Sequence, residues 1–209
     1  MQIANCADLC GFRSDGRPPH LTALLPVALR ALAQRPQQRA AVTVLGFMSR
    51  RCTKREKEML RVAGFVEAAV RWLSHCQTSA TRVCVLQAAG ELASPHQSPL
   101  LVVALLPFLS ADNKGGCLEE ATLYFLNAIQ SSKRPLPELA GSAEAAADVA
   151  ARLVQLLAHA PEPALSRGWG ICLERVIKPA DWQLLLSAGL LQPALFFRAL
   201  TSSRSDTRW

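Results

Sequence analysis

A short basic segment is the densest cluster of charge in the chain and is a candidate surface for a binding partner. Its simplest interpretation is a solvated loop followed by the outer face of a short helix. Such segments also bind acidic or phosphate-bearing partners, or serve as nuclear-localisation signals. No aromatic or glycine residue lies between the charges, which weakens an assignment to single-stranded nucleic acid. The cluster consists of Arg50, Arg51, Lys54, Arg55 and Lys57.

Residues that could perform catalysis or bind a metal ion are scattered along the chain. Its histidines are His20, His75, His96 and His159. None of them lies at metal-ligand spacing from another histidine or from a pair of cysteines. Glu119 and Glu120 are adjacent, so on a helix they point about 100° apart and cannot face each other across a substrate. The sequence contains no glycine-rich phosphate loop and no nucleophile elbow, and we expect no enzyme activity, cofactor or metal.

Cysteine usage, charge and hydropathy narrow the class of protein further. The seven cysteines include no Cys-x-x-Cys pair, which predicts free thiols and an intracellular location, in the cytoplasm or the nucleus. The formal net charge of +7 permits acidic partners but does not by itself indicate nucleic-acid binding. The longest apolar stretch, Leu100 to Leu109, is shorter than the roughly 20 residues that cross a bilayer, so we expect no membrane association.

An apolar pattern typical of one helix face recurs along the chain. Its average spacing is about 41 to 42 residues, within the roughly 40–47-residue period of stacked helical repeats. A helix with apolar residues on more than one face follows each of the first four recurrences, at residues 40–48, 82–92, 119–129 and 168–177, as expected of the inner helix of a stack. The recurrences begin at Leu25, Val66, Leu101, Val149 and Leu191.

Two units also carry a short leading helix that ends at a glycine. Thr53 and Glu56 have the spacing of a capping box, which predicts a helix start, and Gly64 can take the left-handed conformation that ends this helix. A later helix, Asp181 to Ala188, ends in the same way at Gly189. Ala-Gly therefore precedes an apolar helix in both units.

Two segments depart from this regular pattern. The stretch from Ser94 to Ser98, with Pro95 inside it and Pro99 after it, predicts a loop in place of a leading helix. The fourth unit has its own Ala140-Gly141 step, and Ser131 to Leu136 before it predicts an exposed loop.

The chain resembles the armadillo repeat family. The resemblance rests on the Ala-Gly-apolar-apolar step into a Val/Leu helix, followed by a helix of small residues with Asn near its end; Leu60 to Ala93 is the best match and Glu119 to Ile129 the next. It implies an all-α fold, a right-handed α-solenoid of about four to five armadillo/HEAT-like repeats in a single domain, 1–209. The approximate units are 1–13 (partial), 14–52, 53–94, 95–132, 133–178 and 179–209 (partial).

The resemblance also implies a binding residue. In armadillo proteins the inner helix lines a concave groove, where an Asn holds an extended peptide by its backbone; Asn127 matches that position here, and Asn5 is a further candidate. The equivalent positions near Gly46, Ala88 and Glu174 lack the amide, which disfavours a nuclear-import adaptor. A bond from Asn127 to the local backbone is the alternative interpretation.

We therefore expect a non-enzymatic scaffold that binds a partner protein or peptide through its inner-helix surface. The alternative is a HEAT-like module that contacts nucleic acid or an acidic partner through Arg50–Lys57.

The chain also resembles a piece of a longer solenoid cut at both ends, with Met1 to Cys10 as an inner helix and exposed apolar residues at Leu190–Leu200 that favour self-association or fraying. Six inner-helix residues should be buried: Val85, Leu86, Leu123, Leu126, Ile171 and Leu173.

Overall fold

The computed structural model describes residues 21–34, 37–109, 117–159 and 162–202. Within these ranges the protein is all helical, with twelve α-helices and no strand, which confirms the predicted all-α class. The helices form two compact units, Met1–Leu92 and Ala93–Trp209. The predicted inner helix at Met1 to Cys10 lies outside the described residues.

The first unit contains five helices. They are α1 (Leu21–Ala33), α2 (Gln38–Ser49), α3 (Lys54–Val62), α4 (Phe65–Leu73) and α5 (Ser79–Leu92). The capping box is confirmed, because the Thr53 hydroxyl accepts from the Glu56 backbone N–H and the Glu56 carboxylate accepts from the Thr53 backbone N–H. Helix α2 packs against α1, α4 and α5, so it is the central helix of this unit.

Helices α2 and α5 approach closely at position 46, where any side chain larger than glycine's is crowded. A Cβ atom added to Gly46 would lie 3.0 Å from Val85 Cγ2 and 3.2 Å from Val85 Cα. The second of these is a backbone atom and cannot move aside on its own. Gly170 offers a comparison, because an added Cβ there meets no atom within 4 Å.

We expect Gly46→Ala to destabilise the protein relative to Gly170→Ala by about 1–3 kcal/mol, the usual cost of overpacking. Both changes gain the same helix propensity, roughly 1 kcal/mol, so their difference isolates the contact with Val85. Urea denaturation of the two variants measures it. Equal stability of the two variants would show that α2 and α5 pack less closely than described.

The second unit begins with α6 (Ser98–Leu105), which continues into a 3-10 turn (Leu106–Phe108). The predicted loop before it is confirmed only up to residue 97, since Ser98 and Pro99 already form the first turn of α6, where proline is well tolerated. The remaining helices are α7 (Leu118–Ser131), α8 (Leu136–Ala140), α9 (Ala143–His159), α10 (Glu162–Val176), α11 (Pro179–Ser187) and α12 (Pro193–Ser202).

Three Ala-Gly steps join a short helix to the helix that follows it. Gly64 ends α3 before α4, Gly141 ends α8 before α9, and Gly189 ends α11 ahead of α12. All three have positive φ, at 76°, 81° and 91°, and no other described residue does. Glycine lacks the Cβ that penalises this conformation, so the predicted helix ends at Gly64 and Gly189 are confirmed.

A buried ion pair connects four helices of the second unit. Arg175 on α10 and Asp181 on α11 are 4% and 0% exposed, and Arg175 Nη1 lies 3.1 Å from Asp181 Oδ2. The guanidinium also donates to the carbonyls of Ile129 and Ser132, at 2.7 Å each, and to that of Arg134. These carbonyls end α7 and follow it, where a helix leaves acceptors without intrahelical donors.

Asp181 completes this cluster on the other side. Its Oδ1 accepts from the backbone N–H of Leu136 at 2.6 Å, which supplies an acceptor for the first residue of α8. The prediction of an exposed loop from Ser131 to Leu136 is therefore wrong in part. Ser132 and Leu136 are buried and their backbone groups bind the ion pair, while the side chains of Lys133 and Arg134 are exposed.

The inner helices bury four of the six residues predicted to lie in the core. Val85, Leu86, Leu126 and Ile171 are at most 1% exposed, but Leu123 and Leu173 are 45% and 48% exposed. The prediction was wrong for these two because one strip of each helix is not covered by neighbouring helices. Hydropathy alone does not identify the leucines in that strip, since every leucine has the same value.

The last helices bury part of the apolar segment that was expected to be exposed. Leu190 and Leu195 are buried, whereas Leu191 and Phe197 are 55% and 68% exposed. The side chains of Phe196 and Leu200 lie outside the described residues. In the part of the chain that the structure describes, no helix has the length and apolarity needed to cross a membrane.

Candidate functional site

The basic cluster forms a continuous surface segment between α2 and α3. Arg50 and Arg51 follow the end of α2, and Lys54, Arg55 and Lys57 lie in the first turn of α3. All are exposed except Lys57, which is half-buried and places its Nζ 3.1 Å from Glu91 Oε2. The five predicted residues thus lie together, but the positive charge of Lys57 is neutralised by Glu91.

Three of these cations have no carboxylate partner among the described residues. Arg50, Lys54 and Arg55 form no ion pair there, while Glu56 beside them serves the capping box. Lys54 and Arg55 also lie at the positive end of the α3 dipole, where cations are unfavourable. Their charges therefore do not stabilise α3 and stay available to an external anion.

Helices α7 and α10 pack side by side and leave a shared exposed surface. Arg167 on α10 bridges them, because its Nε and Nη2 donate to Gln130 Oε1 at 3.1 and 2.9 Å. On α7, residues 123, 127 and 130 follow helical spacing and point to the same side. We call this surface the α7–α10 face and define it by Leu123, Asn127, Gln130, Arg167, Gly170 and Glu174.

Asn127 is a half-buried residue of the α7–α10 face, and its amide oxygen has no hydrogen-bond partner among the described residues. The Oδ1 atom is buried and accepts no hydrogen bond from the described residues. The alternative interpretation, a bond from this oxygen to the local backbone, is therefore not observed. An unmade bond of this kind costs about 1–3 kcal/mol, which a donor from a ligand can recover after the side chain rotates.

The positions that the sequence analysis aligned with Asn127, near Gly46, Ala88 and Glu174, differ in exposure. Gly46 and Ala88 are buried in the α2–α5 packing and cannot contact a partner, whereas Glu174 is exposed as expected. The neighbouring Phe47 and Gln87 face outward instead, with Phe47 38% exposed.

Gln87 is a candidate that the sequence analysis missed. Its Oε1 is buried and, like Asn127 Oδ1, has no hydrogen-bond partner among the described residues. Residues 85, 86, 88 and 89 are buried, so residue 87 lies on the side of α5 that neighbouring helices do not cover. Assigning the buried face of α5 from its apolar spacing would therefore have identified Gln87.

The described cysteines are free thiols, as predicted, and burial makes three of them poor nucleophiles. Burial raises the pKa of Cys172 to about 12. It also raises the pKa of Cys84 and of Cys52, where the charge of Glu56 adds to the effect and Lys57 opposes it. The thiolate is the reactive form, so these side chains stay protonated and inert near neutral pH.

No set of three histidine, cysteine or acidic side chains comes close enough to share a metal ion in the ranges that the structure describes. The candidate sites are thus separate protein surfaces: the α7–α10 face in the second unit, and the outward residues of α2 and α5 and the basic cluster in the first. No protein-family model, curated protein or solved structure matches this chain.

Proposed function

We propose that the protein is a non-enzymatic scaffold whose α7–α10 face binds an extended segment of a partner protein. The observation that carries the proposal is the buried Asn127 Oδ1 without a donor, on the exposed side of an inner helix. An extended peptide presents a backbone N–H at every second residue along each edge, and an asparagine amide can accept from one of these and donate to a carbonyl.

The rest of the α7–α10 face suits such a ligand. Leu123 offers an apolar contact beside the amide, and Arg167 and Glu174 offer one charge of each sign. Gly170 has no side chain and leaves its helix backbone open to close approach. Helix α7 is 14 residues long, about 21 Å, which a peptide of roughly six residues spans.

The same proposal includes the architecture implied by the resemblance, a right-handed armadillo/HEAT-like solenoid of four to five repeats. The recurrence of the Ala-Gly step at Gly64, Gly141 and Gly189 supports it, as each step joins a short helix to the next. The side-by-side packing of α2 with α5 in one unit and α7 with α10 in the other also supports it.

Selection of a phage-displayed random peptide library on the whole chain tests the binding site without a known partner. We expect enriched peptides whose affinity falls about tenfold for Asn127→Ala, since a lost hot-spot contact costs roughly 1.4 kcal/mol or more. The melting temperature of the variant should not fall, because Asn127 Oδ1 accepts no hydrogen bond from the described residues. Gln155→Ala, an exposed amide on α9, is the matched control.

Equal affinity of the enriched peptides for the parent and for Asn127→Ala would overturn this site. An acidic consensus whose binding is lost in a combined Arg50→Gln, Lys54→Gln and Arg55→Gln variant would instead favour the alternative function. That alternative is a module for acidic partners or nucleic acid, and the absence of carboxylate partners for these three residues among the described ones favours it.

A further inference from the structure

The first unit contains a small open cavity, lined by both polar and apolar side chains, that neither the α7–α10 face nor the basic cluster uses. It has a volume of about 120 Å³ and lies between α2, the end of α4 and the start of α5. Its described lining includes Arg39, Thr43, Trp72, His75, Thr78 and Thr81, with no aspartate or glutamate. We propose that this cavity binds a tetrahedral oxyanion, of the phosphate class.

Arg39 supplies the positive charge. One of its guanidinium nitrogens, Nη2, donates to the His75 carbonyl at 2.7 Å, which places the group between α2 and the end of α4. A guanidinium has five N–H donors, so four of them remain for a ligand. Arg39 forms no ion pair with any described residue, and its charge is therefore not neutralised locally.

The hydroxyl groups are arranged to donate. Thr78 Oγ1 accepts from the Thr81 backbone N–H at 3.1 Å and donates to Thr81 Oγ1 at 2.9 Å. Since the Thr81 oxygen is already an acceptor in this chain, its own hydroxyl proton is left for an external acceptor. The neighbouring Arg82 is held close by, with Nη2 donating to the Cys76 carbonyl at 3.0 Å.

The two donors come from different helices, Arg39 from α2 and Thr81 from the first turn of α5, while the His75 ring lines the wall at the end of α4. A phosphate offers four acceptor oxygens at the corners of a tetrahedron and more charge than a carboxylate, so it suits donors that reach it from two helices. Trp72 closes one side with an aromatic ring, which stacks edge-on against His75 at 5.2 Å.

Nuclear magnetic resonance of the ¹⁵N-labelled whole chain tests the proposal, with inorganic phosphate as the probe and sodium chloride at matched ionic strength as the reference. We expect saturable shifts of the Trp72 indole N–H and of the amides of residues 78–81. Arg39→Gln should raise the half-saturating concentration at least about tenfold. Arg30→Gln, which removes an exposed arginine of α1 outside both the cavity and the basic cluster, should leave it unchanged.

Thr81→Val provides a second variant that removes a hydroxyl donor without changing charge, and it should also weaken phosphate binding. A phosphoserine pentapeptide then distinguishes the two sources of the group: binding as tight as free phosphate or tighter indicates a phosphorylated partner, and weaker binding indicates the free anion. Unsaturable shifts, equal binding by Arg39→Gln, or the same response to acetate would each overturn a phosphate site. None of these outcomes depends on the α7–α10 face.

Discussion

Replacing Arg175 by leucine should reduce the free energy of unfolding of the second unit by about 3–5 kcal/mol, the usual cost of removing one partner from a buried ion pair. The change leaves Asp181 as a buried charge without its cation and removes the donor from the carbonyls of Ile129, Ser132 and Arg134. Guanidinium denaturation followed by circular dichroism measures the loss.

Two further variants separate the geometry of Arg175 from its charge. Arg175→Lys keeps the cation but not the planar fork, so we expect it to be destabilised by an intermediate amount. Arg152→Leu removes an arginine that bonds only to Gln155 within α9, and it should stay within about 0.5 kcal/mol of the parent. A loss of less than about 1 kcal/mol for Arg175→Leu would show that water reaches this cluster.

Truncating Leu126 to alanine should cost about 2–5 kcal/mol, because the side chain is 1% exposed and its removal leaves a cavity. Leu123 lies three residues earlier on the same helix and is 45% exposed, so Leu123→Ala should cost less than about 1 kcal/mol. Chemical denaturation of the two variants compares identical substitutions in one helix. Similar losses for both would mean that the orientation of α7 is wrong.

The predictions that succeeded rest on local interactions. Thr53 and Glu56 are three residues apart, so the capping box and the start of α3 can be inferred from spacing alone. The same holds for Gly64 and Gly189, where an apolar helix following Ala-Gly already indicates the left-handed residue. In each case the residues that form the helix cap lie within a few positions of one another in the sequence.

The predictions that failed depend on groups distant in the chain. Nothing local distinguishes Arg175 from a surface arginine, because its carbonyl partners lie 41 to 46 residues earlier. Leu123 and Leu126 have the same hydropathy, and only the packing of neighbouring helices decides which one is covered. The basic cluster was identified from residue type and Asn127 from the resemblance to armadillo repeats, whereas the cavity beside Arg39 required three helices to be placed first.

The ion pair also has a consequence for how the second unit folds. Its bonds join α10 and α11 to the end of α7 and the start of α8, and none of them can form until those segments have docked. In a stack of helical repeats, the architecture proposed above, stability is the sum of each layer's own term and the coupling between neighbouring layers. The hydrogen bonds of Arg175 and Asp181 contribute to the coupling free energy between neighbouring layers. The α7–α8 and α10–α11 layers should therefore unfold in one cooperative transition, and local opening of either layer alone should be rare.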